Sequence, residues 1–249
     1  MKFLKIKLLN LAFFTLTFCI AAIPQASQAQ KHTDQVHLFN DYLTDTPISS
    51  DNFLEPNIMI MKYEGATGLQ FGSYGGFPIN EQWEIDVVLS YIRVSYESSS
   101  RSGIIDPLIL ARYNISSKKQ TQFSVGGGLD IPIGDWDVFH QGAGPDFLFF
   151  GAVRHTLEGG LILCGNLGLE AVMNYNDEYE TDIDIGGGIL YPSNDKLTIV
   201  GEIDFDPALI IGGIDYRLQS GGHLRLALVL PLEEESPDLT LMGSYLIFF

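Results

Sequence analysis

The chain has 249 residues and a formal net charge of −17; 46% of it is hydrophobic and only 18% charged, below the roughly 25% charge of an ordinary soluble domain. The acidity excludes a basic nucleic-acid footprint. Its two Cys, Cys19 and Cys164, exclude a disulfide-framework domain or a Cys-based zinc site.

Residues 1–29 read as a secretory signal peptide. Lys2, Lys5 and Lys7 form a positive start, LLNLAFFTLTFCIAAI (8–23) an apolar run, and Ser27-Gln28-Ala29 a small-x-small cleavage site. Cleavage there removes three basic residues and no acidic ones, leaving 11 basic against 31 acidic residues, a net −20. The next segment, 30–56, does not alternate. DQVHLFNDYL (34–43) suits a short helix and TDTPISSDNFLEP (44–56) a linker, so 30–56 reads as an N-terminal periplasmic leader or a partial plug, the leader being favoured.

From residue 57 to 249 no further apolar run is long enough for a membrane helix. What recurs is alternation with period two, the signature of a strand with one apolar and one polar face. About twelve units follow one another: 57–64, 67–79, 82–96, 103–115, 119–132, 144–156, 159–173, 179–191, 196–205, 207–218, 222–232 and 237–249. Most exceed the five or six residues of a globular strand and suit a tilted strand crossing a bilayer. QWEIDVVLSY (82–91) sets Trp83, Ile85, Val87 and Leu89 against Glu84, Asp86 and Ser90. HLRLALVLPL (223–232) sets four Leu against His223 and Arg225. The outward connections, YESSSRSG (96–103), GDWDVFHQGAG (134–144), NYNDEYE (174–180) and LEEESP (232–237), are longer and more acidic than the inward ones, as in outer-membrane barrels.

The alternation assigns an inward, lumen-facing set: Glu84, Asp86, Asp106, Arg112, Asp130, Asp146, Arg154, Glu170, Asp182, Asp184, Glu202, Asp204, Asp215, Arg217 and Arg225. A charge on the lipid face at mid-membrane costs about 2–4 kcal/mol for Arg or Lys, so these residues need a polar or paired interior. Each Arg is expected to pair with lumen carboxylates, and the carboxylate surplus makes the lumen negative. Twelve strands fall between the filled interior of eight and the open channel of sixteen, which leaves both an open and a closed lumen available. Trp83, Tyr91, Trp136 and Tyr191 fall near strand ends, where aromatic girdles sit.

Few constellations point to other chemistry. Asp182 with Asp184, and Glu202 with Asp204, place carboxylates about 6–7 Å apart along a strand, which suits a hard cation; a solvated acidic rim is the favoured account, and no metal or other cofactor is assigned. His140, His155 and His223 sit in no nucleophile or zinc motif, so the chain is read as non-enzymatic. Gly126–Gly128 and Gly186–Gly188 lie inside alternating strands, where glycine marks a bend or a close neighbour.

GIIDPLILARYNI (103–115), FSVGGGLDIPIGD (123–135), GPDFLFFGAVR (144–154) and LILCGNLGLE (161–170) together resemble the MetA-pathway phenol-degradation, or transporter-type, family of Gram-negative outer-membrane barrels. The resemblance implies an outer-membrane channel for hydrophobic or aromatic compounds and supplies no binding residues. The ending LTLMGSYLIFF (239–249) resembles the outer-membrane assembly signal, carried by Tyr245, Ile247 and Phe249. It implies recognition by the barrel-assembly machinery, with a strand edge left open until the barrel closes.

The expectation is therefore an all-β, antiparallel up-and-down transmembrane β-barrel of about twelve strands, exported to the outer membrane and surrounded by its lipid. It would pass a small solute through an acidic lumen. The alternative is a structural or adhesive barrel with a plugged lumen and cation-binding acidic loops.

Overall fold

The structure, a computed structural model, describes residues 36–39, 45–117, 120–135, 144–158, 160–174, 178–205, 208–232 and 237–249. Residues 1–29, expected to be a signal peptide, together with Trp136 and His140, lie outside the described residues. Twelve strands run in chain order: β1 (Phe53–Tyr63), β2 (Ala66–Pro78), β3 (Trp83–Tyr96), β4 (Ser100–Ser117), β5 (Thr121–Asp130), β6 (Phe147–Thr156), β7 (Ile162–Met173), β8 (Tyr179–Pro192), β9 (Leu197–Phe205), β10 (Ala208–Arg217), β11 (His223–Pro231) and β12 (Leu239–Phe248). Each pairs antiparallel with its chain neighbours, and β12 returns to β1, closing an up-and-down barrel.

Closure answers the physical problem of the apolar ending. A backbone polar group left unpaired in hydrocarbon costs several kcal/mol, so a membrane sheet needs every edge paired. β12 supplies the last edge through eight residue pairs with β1, from Phe53↔Phe248 to Lys62↔Leu239. The ladder skips Glu55 and Pro56, where proline has no N–H to give.

Side chains alternate as the pleat requires. Ile85, Leu89, Leu167, Leu169, Ile199, Ile203, Leu224 and Leu226 point outward and are exposed, while Glu84, Asp86, Thr198, Glu202, His223 and Arg225 point inward and are buried. Aromatics gather at both ends of the outer face. The Trp83 ring lies tilted against Tyr113 at 4.8 Å at one end, and Phe147 lies 5.9 Å from Tyr179 at the other.

Three details differ from the sequence reading. β1 begins at Phe53, four residues before the expected start, because pairing with β2 runs through Pro56 to Phe53↔Gly76. Second, β4 extends up to Ser100, so the connection expected over 96–103 shrinks to residues 97–99. Third, Val36–Phe39 is not helical. Its side chains and main chain are instead taken up inside the barrel.

Candidate functional site

Two pairs of facing residues seed the interior. Glu84 on β3 lies opposite Arg112 on β4, and Asp215 on β10 lies opposite Arg225 on β11. Directly opposed unlike charges on one face are the favourable arrangement of a sheet. Each pair then gathers more partners.

Arg112, with no exposed surface, donates Nη2 to Glu84 and lies 3.2 Å from Asp86 Oδ2 and 3.3 Å from the Tyr74 hydroxyl. The Tyr74 hydroxyl itself donates to Asp86 at 2.9 Å. Arg225 donates Nη1 to both Glu55 oxygens at 2.8 and 3.0 Å, and its Nε lies 3.3 Å from Asp215 Oδ2. His223 Nδ1 contacts Asp215 Oδ1 at 2.7 Å, and Ser244 Oγ donates to Glu55. Removing such groups from water costs several kcal/mol per ion, recovered only when geometry and hydrogen bonds are both good.

The remaining carboxylates gather toward the other end. Asp130 closes β5, Asp146 precedes β6, and both line a small cavity with Leu108, Leu148, Glu170 and Val172. Glu170 faces Asp182 directly across β7–β8. Like charges opposite one another are unfavourable, and Asp182 is solvent-exposed, which lets water screen it. Arg112, Arg154, Arg217 and Arg225 lie near the opposite strand ends, those where β1 begins, and there Glu55, Glu84, Asp86 and Asp215 accompany them, whereas Asp130, Asp146, Glu170 and Asp182 gather at the other mouth.

The guanidiniums also hold a segment that precedes the barrel. Arg225 Nη2 donates to the His37 and Leu38 carbonyls, Arg154 Nη1 to the Val36 carbonyl at 3.1 Å, and Arg112 Nη1 to the Asp45 carbonyl at 2.7 Å. Glu202 accepts from the Phe39 N–H, Glu84 accepts from Ser49 N–H at 2.7 Å, and Asn114 donates to the Thr46 carbonyl at 3.1 Å. Val36, Leu38 and Phe39 are buried with Ile162, Leu190, Val200, Ile211, Ala227 and Val229 of the inner wall. The Phe39 ring lies 4.4 Å from the Arg225 guanidinium, a cation–π contact.

His37 sits among these groups, stacked on Phe53 at 6.1 Å. Arg112 from β4, Arg154 from β6, Arg225 and His223 from β11, and Asp45 at 3.8 Å surround it. Burial, then the three guanidiniums, holds its imidazole well below the ordinary histidine range. A released His37 titrates near 6.5. Docking is therefore at full strength above about pH 6.5 and weakens as pH falls below that value, until docked His37 itself protonates. Amide exchange of residues 36–39, corrected for its intrinsic pH dependence, is expected to speed up between about pH 7.5 and 5.5, and His37→Gln is expected to flatten that response.

Of the expected inward set, Glu84, Asp86, Arg112, Arg154, Glu202, Asp204, Asp215 and Arg225 are buried inside the barrel, with Asp146. Asp130, Glu170, Asp184 and Arg217 are half-buried, and Asp182 is exposed at the mouth. Asp106 lies at an irregularity between β3 and β4, where it accepts from the Gly134 N–H. Three expectations need correction. Arg217 forms no ion pair among the described residues; it faces His223 rather than a carboxylate. Arg154 pairs with Asp45, at 3.4 Å, a residue of the leader and not of a strand. At the chain's end, where Tyr245, Ile247 and Phe249 are expected to form one outward-facing set, Ile247 is buried at 7% exposure, whereas Phe249, just past β12, is 54% exposed and Tyr245 half-buried. The sequence reading passed over Glu55, Asp45, His37, Tyr74 and Ser244. Glu55 was within reach, since the parity of Asn57 carried back two residues places it on the inner face.

These features define a transmembrane up-and-down β-barrel whose interior is packed with ion pairs and its own N-terminal segment. No family model and no curated protein matches the chain. Solved structures do. An outer membrane channel from Pseudomonas putida F1 is similar at a TM-score of 0.62 and 11% identity, over 83% of this chain and 98% of that one. The KdgM porin is similar at a TM-score of 0.57 and 9% identity, over 79% and 99%. The NanC porin is similar at 0.51 and 8%, over 79% and 98%. At such identities the likeness is one of fold.

Proposed function

We propose that the chain is an outer-membrane channel that passes a small solute through its lumen. The observation that carries this reading is the closed barrel of twelve strands, apolar outside and charged inside, with Asp130, Asp146, Glu170 and Asp182 gathered at the mouth that this reading places outside. The fold shared with an outer membrane channel and two porins supports it. A signal peptide over 1–29, outer-membrane lipid around the barrel and assembly through the terminal Tyr245, Ile247 and Phe249 complete the reading. The acidic mouth attracts cations and neutral solutes over anions. The hydrophobic or aromatic class follows from the sequence resemblance alone.

Purified protein in planar bilayers is expected to conduct with cation preference, and liposomes containing it to swell faster with neutral or cationic solutes than with anionic ones of equal size. Anion preference would refute the acidic-mouth account. A second reading is favoured by one observation, the N-terminal segment buried in the lumen: a structural barrel closed by its own leader. Silence in bilayers, persisting when the segment is displaced, would select it.

A further inference from the structure

Inside a water-filled channel, an apolar wall is unexpected. Ile162, Leu190, Val200, Ile211, Ala227 and Val229 nevertheless form one, on adjacent strands β7–β11, and it is covered by Val36, Leu38 and Phe39. Two glycines shape it. A Cβ on Gly213 would come within 2.4 Å of the Phe39 ring, and one on Gly188 within 2.7 Å of Leu38 Cδ2. Both side chains thus occupy sockets cut into the wall.

The polar groups beside the sockets are equally specific. Glu202, inward on β9, accepts the Phe39 N–H, and Arg225 donates to the carbonyls of His37 and Leu38. A carboxylate for an N–H, a guanidinium for C=O and an apolar socket on either side together match the pattern of an extended apolar peptide. Arg225 already has Glu55 and Asp215 as counter-charges, so a neutral acceptor suits it better than a second anion does.

We propose that this wall is a luminal binding site for short, uncharged, apolar peptides or amides, and that Leu38–Phe39 occupies it in cis as a displaceable gate. The inference rests on the channel reading only for its consequence, passage of solute; binding itself stands apart. A tethered occupant competes at an effective concentration in the millimolar range, so a free ligand enters when the segment is weakened or the ligand abundant.

Cys164 reports occupancy. It lies opposite Gly188 and packs against the covered cluster. The test uses the full chain with Cys19→Ser, a small maleimide, and barrel folding scored by heat-modifiable mobility. Leu38→Asp, which puts a charge in an apolar socket, is expected to raise Cys164 labelling at least about tenfold, the response to a weakening of docking by one decade in equilibrium constant. N-acetyl-Leu-Phe-amide at millimolar concentration is expected to restore protection, and N-acetyl-Asp-Glu-amide to leave labelling high. If Leu38→Asp fails to fold, Phe39→Ala is compared with the parent in the same way. Unchanged labelling in folded variants, protection by neither peptide, or equal protection by both overturns the proposal. Bilayer current read in parallel separates the two readings: protection without current keeps the site and refutes the channel, and current without protection does the reverse.

Discussion

Arg112→Met is expected to destabilise the barrel by about 3–5 kcal/mol, the usual cost of removing one partner from a buried charge cluster. Glu84, Asp86 and Arg112 have no exposed surface. Met fills much of the volume but leaves two carboxylates side by side with no cation and takes a donor from the Asp45 carbonyl. The control is the same change with Glu84→Gln and Asp86→Asn, which removes the stranded charge and should recover most of the loss. Arg217→Met, at a half-buried arginine without an ion pair among the described residues, should cost less than about 1 kcal/mol. Urea unfolding of the refolded protein in detergent, compared at equal m-value, reads all three. A loss at Arg112 no larger than at Arg217 would mean that the inner cluster is hydrated and screened, contrary to its burial.

How far the sequence could anticipate this interior depends on range. Period-two alternation is a local signal, and it located all twelve strands because a strand repeats its two faces every second residue. It carried Glu84, Arg112, Asp215 and Arg225 to the inner face for the same reason. It stopped at residue 57 because IMIM (58–61) is apolar at every position. Facing in β1 is nevertheless kept there by side-chain choice, isoleucine outward and methionine inward. With Glu55 left in the linker, its pairing with Arg225, 170 residues away, could not be found. The leader was harder still. Val36-His37-Leu38-Phe39 has no periodicity, and its address is set by Gly188, Gly213, Glu202 and Arg225, which come together only when the barrel closes.

Leu226→Arg and Val229→Arg, three residues apart on β11, should fail in different ways. Leu226 is 49% exposed on the outer face, near the middle of its strand and opposite Ile214 and Gly243. An arginine there faces acyl chains and costs about 2–4 kcal/mol at the bilayer midplane. The yield of heat-modifiable barrel in membranes should fall sharply, with the remainder recovered as unassembled chain. Val229, 8% exposed, faces inward. Alternation alone would make an arginine there mild, since charges belong on that face. The structure gives a different expectation, because Val229 belongs to the apolar wall beneath Val36, Leu38 and Phe39. The barrel should still assemble, as no lipid-facing position changes, but the segment should be expelled and Cys164 labelling should rise. Equal assembly defects in the two variants would mean that the inner wall is required for insertion itself, and normal assembly of Leu226→Arg would mean that the outer face of β11 does not meet lipid.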